Sequence, residues 1–137
     1  MARGYNNNNP GNIRKSSVKY TGEVESNDIE FKQFQTMAFG FRAMFVLLHT
    51  YSARYGLNTL QKMIERYAPH EENNTTEYVN FVSMRTKIAD IQSIDTFNRY
   101  QMIPIVSAMA RMENGSDPNM DDVCEGWNLF QEDYVKI

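Results

Sequence analysis

Between Thr36 and Gly56 the chain carries an apolar stripe that only a buried helix can satisfy. Phe41, Met44, Phe45, Leu48, Ser52 and Tyr55 recur at helical spacing, and Val46 and Leu47 widen the face into the uninterrupted run Phe45-Val46-Leu47-Leu48. Gly56 supplies a left-handed stop. A helix this apolar has to be wrapped by other elements, and each larger side chain it buries contributes roughly 1.5–3 kcal/mol. The expectation is a mainly α fold with at least four helices and this one at its centre.

The rest of the chain supplies the wrapping. A second helix is expected from about Thr59 to Tyr67, ending at Ala68-Pro69, because the residue before a proline resists helical geometry. Asn74-Thr75-Thr76-Glu77 reads as a capping arrangement for a third, with Tyr78, Phe81, Val82, Arg85 and Ile88 on one face. A short helix is expected around Asp95 to Gln101. The last clear helix is expected to begin with Pro104 in its first turn, to bury Ile105, Val106, Met109 and Met112, and to end at Glu113-Asn114-Gly115. The tail from Ser116 is acidic and then apolar. Residues 1 to 35 show no helical period. Turn formers there (Asn6 to Asn9, Pro10-Gly11, Gly22) separate short runs that could pair as strands, namely Asn12 to Arg14, Val18 to Tyr20 and Ile29 to Phe34. These predict a small, irregular β-element ahead of the helices, so the class is mainly α with an α+β start, and residues 1–137 read as one domain.

Composition narrows the function. Net charge is −3 and the pI is near 5.4, which argues against a nucleic-acid backbone as the main partner. The single cysteine, Cys124, allows no intrachain disulfide, and its acidic surroundings make it a poor nucleophile. His49 and His70 stand far apart and no Cys or His pair has metal-ligand spacing, so neither a metal nor another cofactor is expected. No run approaches the ~20 apolar residues of a membrane span, and no secretory signal follows Met1.

Glu113 is the residue that breaks a local rule. The negative end of a helix disfavours a carboxylate by typically 0.3–1 kcal/mol. The preceding Ser107-Ala108-Met109-Ala110 packs tightly, so burial adds to the effect. Both raise the pKa of the carboxyl, which is what a general acid near neutral pH requires. The bland reading, a surface glutamate screened by Arg111, stands beside it. An acidic cluster, Glu23, Glu25, Asp28 and Glu30, offers a second source of carboxylates. Glu23 is the best of them, because it follows Tyr20-Thr21-Gly22, a turn expected at the cleft edge.

A run of motifs carries a resemblance. Asn7-Asn8-Asn9-Pro10-Gly11-Asn12-Ile13-Arg14 is followed by Tyr20-Thr21-Gly22, Phe31 and Phe34. Then come Gly40-Phe41-Arg42-Ala43, Tyr55-Gly56-Leu57-Asn58-Thr59, Arg66-Tyr67-Ala68-Pro69, Asn73, Tyr78 and Met112-Glu113-Asn114-Gly115. Over about residues 3 to 115 this resembles a family of short phage and prophage proteins with an NNNPGNIR signature. Its members are described as virion structural proteins or as lysozyme-like lytic proteins. Tyr20 and Tyr67 stand where tryptophans are usual, which keeps an aromatic ring at both places. The resemblance implies a lysozyme-like fold in circularly permuted order, with the β-element and central helix ahead of the helix that ends in the acid.

It further implies a peptidoglycan glycan-strand lytic enzyme, either a muramidase or a lytic transglycosylase. Glu113 would be the acid, with Glu23 as a second or substitute carboxylate. Asn8, Asn9, Asn12, Arg42, Tyr67, Asn73 and Tyr78 would contact the sugar. Each has a structural alternative: Tyr67 closing a helix end, Asn73 a loop residue beside the Asn74 cap, Arg42 a snorkelling side chain or a carboxylate partner. The partners implied are glycan strands and other virion proteins, with a monomer expected. Delivery to the wall would be by a phage particle or a holin-type route. The other reading of the same resemblance is a non-catalytic structural or wall-binding module.

Overall fold

In the computed structural model, which describes residues 2–134, eight elements follow one another. They are α1 (Arg3–Asn6), β1 (Glu23–Val24), β2 (Gln33–Phe34), α2 (Met37–Tyr55), α3 (Leu60–Tyr67), α4 (Thr75–Thr86), α5 (Arg99–Asn114) and α6 (Met120–Tyr134). The fold is mainly α with a small two-stranded sheet near the N-terminus. Among the described residues, no helix is long and apolar enough to cross a membrane.

Helix starts are set by side chains that accept the first free backbone N–H groups. Thr36 accepts from Phe39, Thr59 from Lys62 and Asn74 from Glu77. Gly56 and Gly115 close α2 and α5 in the left-handed conformation. As its stripe requires, α2 is the buried centre, with Phe41, Met44, Phe45 and Leu48 fully enclosed.

Its main partner is α6, which sequence reading left as an unassigned tail. Asn119 accepts from the N–H groups of Asp121 and Asp122 to start α6, and both acids suit the positive end of the helix. Val123, Trp127 and Phe130 form its buried face. Trp127 meets Phe45 edge-on at 5.1 Å, and Phe130 lies 5.9 Å from the same ring. Gly126 lets the two helices touch: a Cβ there would lie 2.6 Å from Phe41 Cβ.

Three expectations are corrected. No separate helix spans 95–101, and Pro104 does not start one; α5 runs unbroken from Arg99 with Pro104 inside it. Asn98 caps it by accepting from Tyr100, and the carbonyl that Pro104 leaves without its helical donor belongs to the exposed Tyr100, within reach of water. Residues 3–6 form one helical turn where none was expected. The β-element is smaller than the three runs implied. β1 and β2 pair antiparallel, Glu23 opposite Phe34 and Val24 opposite Gln33. Asn12 to Arg14 contributes a lone bridge between Arg14 and Phe31. Val18 to Tyr20 is not a strand, because the Lys32 ammonium donates to the Val18 carbonyl at 2.8 Å and takes the place of a strand partner.

Candidate functional site

The last turn of α5 meets the N-terminal segment. The Asn114 amide donates to the Pro10 carbonyl at 2.7 Å, and its oxygen accepts from the Tyr5 N–H at 3.2 Å. Asn9 is wholly buried, donating to the carbonyls of Ile13 and Lys32 while its oxygen accepts from the Ile13 N–H. Asn8 and Asn12 take the left-handed backbone that asparagine tolerates better than most residues, at φ of 51° and 50°. The Asn8 amide donates to the Phe34 carbonyl. The segment is therefore a tied knot, and α5 ends against it.

Glu113 sits at this junction, half-buried. Asn12 Nδ2 donates to its Oε1 at 3.0 Å, and the Tyr78 hydroxyl donates to its Oε2 at 2.9 Å. Burial raises the Glu113 pKa above the usual glutamate value, against the lowering effect of those two donors and of Arg14. Burial also holds the Tyr67 and Tyr78 hydroxyls well above the ordinary tyrosine pKa, and the nearby Glu113 adds to this, so both stay neutral donors.

The carboxyl opens on a pocket of ≈ 330 Å³ walled by Asn12, Tyr20, Tyr51, Tyr67 and Asn73. Tyr67 donates its hydroxyl to the Gly11 carbonyl, which fixes the aromatic wall to the knot. At the rim Arg14 pairs with Glu72 at 3.4 Å and with Glu30 at 3.0 Å. Glu72 is the second acid lining the pocket; it is exposed and held by that arginine.

The candidate residues thus divide. Asn12, Tyr67, Asn73 and Glu113 share one pocket, and Tyr78 stands behind the acid as its hydrogen-bond donor. Asn8 and Asn9 lie outside the pocket lining, their amides committed to backbone. Arg42 is buried and does have a carboxylate partner, but it is Asp133 of α6, at 2.8 Å. Glu23 lies outside the lining too: Lys32 Nζ lies 3.0 Å from both of its oxygens, and the Tyr20 N–H donates to it. Although burial opposes it, those donors and Lys19 leave the Glu23 pKa below the usual value. Tyr20, Tyr51, Arg14 and Glu72 join the pocket without having been picked out as site residues. Tyr51 stands three residues after Leu48 of the stripe, a helical spacing that could have marked it, and burial pushes its hydroxyl up to about 12.

His49 is held by Thr96 at 2.8 Å and stacks on Phe97, away from the pocket. Among the described residues, no cluster of His, Cys, Asp and Glu could hold a metal ion.

No family model matches the chain. It is 40% identical over 136 residues to Protein P5 of Pseudoalteromonas phage PM2, a match covering 94% of this chain and 83% of that protein.

Proposed function

This chain belongs to the family of Protein P5 of phage PM2, and from that premise we propose that it is a single lysozyme-like domain that cleaves peptidoglycan glycan strands in the service of a phage particle. The observation that carries the reading is the Glu113 carboxyl. It closes a helix at its negative end, is raised in pKa, is oriented by two donors and opens on an aromatic-walled pocket. Each carboxyl oxygen accepts one hydrogen bond and keeps a lone pair for a proton. Protonated Glu113 donates to the glycosidic oxygen as the bond from that oxygen to the sugar's C1 breaks, and the resulting carboxylate then accepts a proton from the incoming nucleophile.

Glu72, the other carboxylate in the lining, is committed to Arg14, and Glu23 to Lys32. That favours a single-acid route in which the sugar's own acetamido oxygen assists at C1. Tyr67 and Asn73 contact the sugar from the wall, and Asn12 holds the acid. The order of elements, sheet and central helix before the acid-bearing helix, fits a permuted lysozyme-like layout.

The test is lysis of purified peptidoglycan from the phage host by wild type and by Glu113→Gln. General acid–base catalysis is typically worth 10²–10⁴-fold, so the variant should show no clearing. Products one water lighter than hydrolysis gives identify the transglycosylase route. Should the wild type leave peptidoglycan from several hosts intact, a structural or wall-binding module in the particle replaces the enzyme.

A further inference from the structure

A second cavity, ≈ 430 Å³, adjoins the first and shares Ser16, Tyr20, Leu47 and Tyr51 with it as a common wall. Its chemistry differs. Among the described residues no acidic side chain lines it, while Lys19, Arg42, Arg54 and Arg66 do, together with Tyr55 and Tyr134. Arg42 is neutralised by Asp133, and Lys19 lies 3.5 Å from Glu23. Arg54 and Arg66 form no ion pair with any described residue. Arg66 lies over the rings of Tyr51 and Tyr55, at 5.7 and 4.7 Å, and Arg54 lies 6.0 Å from Tyr55. Stacking on two rings orients a guanidinium while leaving its N–H edge free to donate. Two such guanidiniums, at the end of α2 and the end of α3, stand as a local cationic cluster in a chain of net charge −3.

We propose that this cavity is a carboxylate subsite that takes the peptide stem of the wall polymer, with Arg54 and Arg66 as the binding residues. The proposal rests on the glycan-lytic reading of the adjoining pocket. A sugar placed against Glu113 carries its lactyl-linked peptide outward, and the free carboxylates of that peptide need a cationic, open trough beside the glycan pocket. The shared wall of Tyr20 and Tyr51 places such a trough there. Guanidinium groups suit carboxylates through paired N–H donors. Both arginines are exposed, so the interaction weakens as salt rises.

The experiment measures calorimetric binding of two soluble wall fragments to the full chain carrying Glu113→Gln, which prevents turnover. One fragment is a disaccharide with a peptide stem bearing free carboxylates; the other is the same fragment with those carboxylates converted to primary amides. Adding Arg54→Gln and Arg66→Gln should weaken the carboxylate fragment by about tenfold or more, the worth of a hydrogen bond to a charged group, and leave the amide fragment unchanged. Both substitutions lie on the surface, so melting temperatures should match and exclude a folding defect. Equal affinity for the two fragments, no loss on substitution, or no binding of either fragment overturns the proposal. So does a short single-stranded oligonucleotide that binds more tightly than the carboxylate fragment and loses that binding on substitution. The two readings fail separately. Carboxylate-dependent binding without any wall cleavage by the wild type removes the lytic reading and leaves the subsite. Cleavage with carboxylate-independent binding does the reverse.

Discussion

Burial acts on Glu113 in one direction and on its reactivity in the other. Because its pKa is raised in the fold, the protonated carboxyl is favoured there. The stability linked to it is complete below the ordinary glutamate pKa and is lost as pH rises through the raised value. Glu113→Gln should therefore hold its stability at neutral pH or gain about 0.3–1 kcal/mol, a gain that disappears in acid when melting is followed against pH. Tyr78→Phe removes a donor that favours the carboxylate. The acid should then keep its proton to higher pH, and the alkaline limb of the lysis profile should move upward; an unmoved or lowered limb would show that Glu113 is not the titrating acid. Glu23 has the opposite linkage. Its lowered pKa contributes stability above the usual glutamate range and loses it as pH falls through the folded value. The Lys32 side chain is 0% exposed and that of Glu23 is 8%, so removing either partner strands a buried charge. Lys32→Met should cost about 3 kcal/mol or more in urea unfolding. Glu23→Gln should lower the melting temperature yet still lyse walls well below it, which separates a structural carboxylate from a catalytic one.

Among the elements, α2 and the N-terminal knot are joined at Gly40. A Cβ there would lie 2.1 Å from the Asn8 carbonyl oxygen and 2.6 Å from Pro10 Cδ. Helix propensity alone makes Gly40→Ala favourable by roughly 1 kcal/mol, whereas overpacking a tight contact costs typically 1–3 kcal/mol. The contact involves backbone, which yields less readily than a side-chain tip, so the clash should win and the variant should be less stable than wild type. Because the displaced segment carries Asn12, lysis should also fall, measured at a temperature where the variant is still folded. A stabilised, fully active Gly40→Ala would mean that the knot is not held against α2 as described. The same contact explains why an asparagine run that looks suited to sugars is mostly structural: Asn8 and Asn9 serve backbone groups, and Asn12 alone reaches the acid.

Across the whole molecule, the buried residues of α2 through α6 form one continuous hydrophobic cluster. Phe45 is covered by Trp127 and Phe130, so α6 belongs to the core of the fold. A chain ending at Asn119 would expose that face of α2 and should lose its cooperative thermal transition by circular dichroism. A sharp transition in the truncated chain would mean that α1 to α5 fold without it. The cavity at Glu113 is assembled from the N-terminal segment through Tyr20, α2, the end of α3 with the loop after it, and the end of α5, and the cationic trough beside it from the 16–21 loop together with α2, α3 and α6.

Local chemistry determined much of this from the sequence alone. The stripe of α2, the caps Thr36, Thr59 and Asn74, the stops Gly56 and Gly115, and the place of Glu113 at a helix end all depend on near neighbours in the chain. The continuity of α5 through Pro104 was decided by packing, since the local signal there was broken, whereas α6 had a local start in Asn119, Asp121 and Asp122 and took its buried face from packing on α2. The partners were decided by tertiary structure as well. Lys32 to Glu23, Arg42 to Asp133, Tyr78 and Asn12 to Glu113, and the pairing of Tyr20 with Tyr51 across one wall join residues up to 101 positions apart. No periodicity encodes such separations, because a hydrogen bond or an ion pair needs only proximity in space, and proximity is settled when the helices pack.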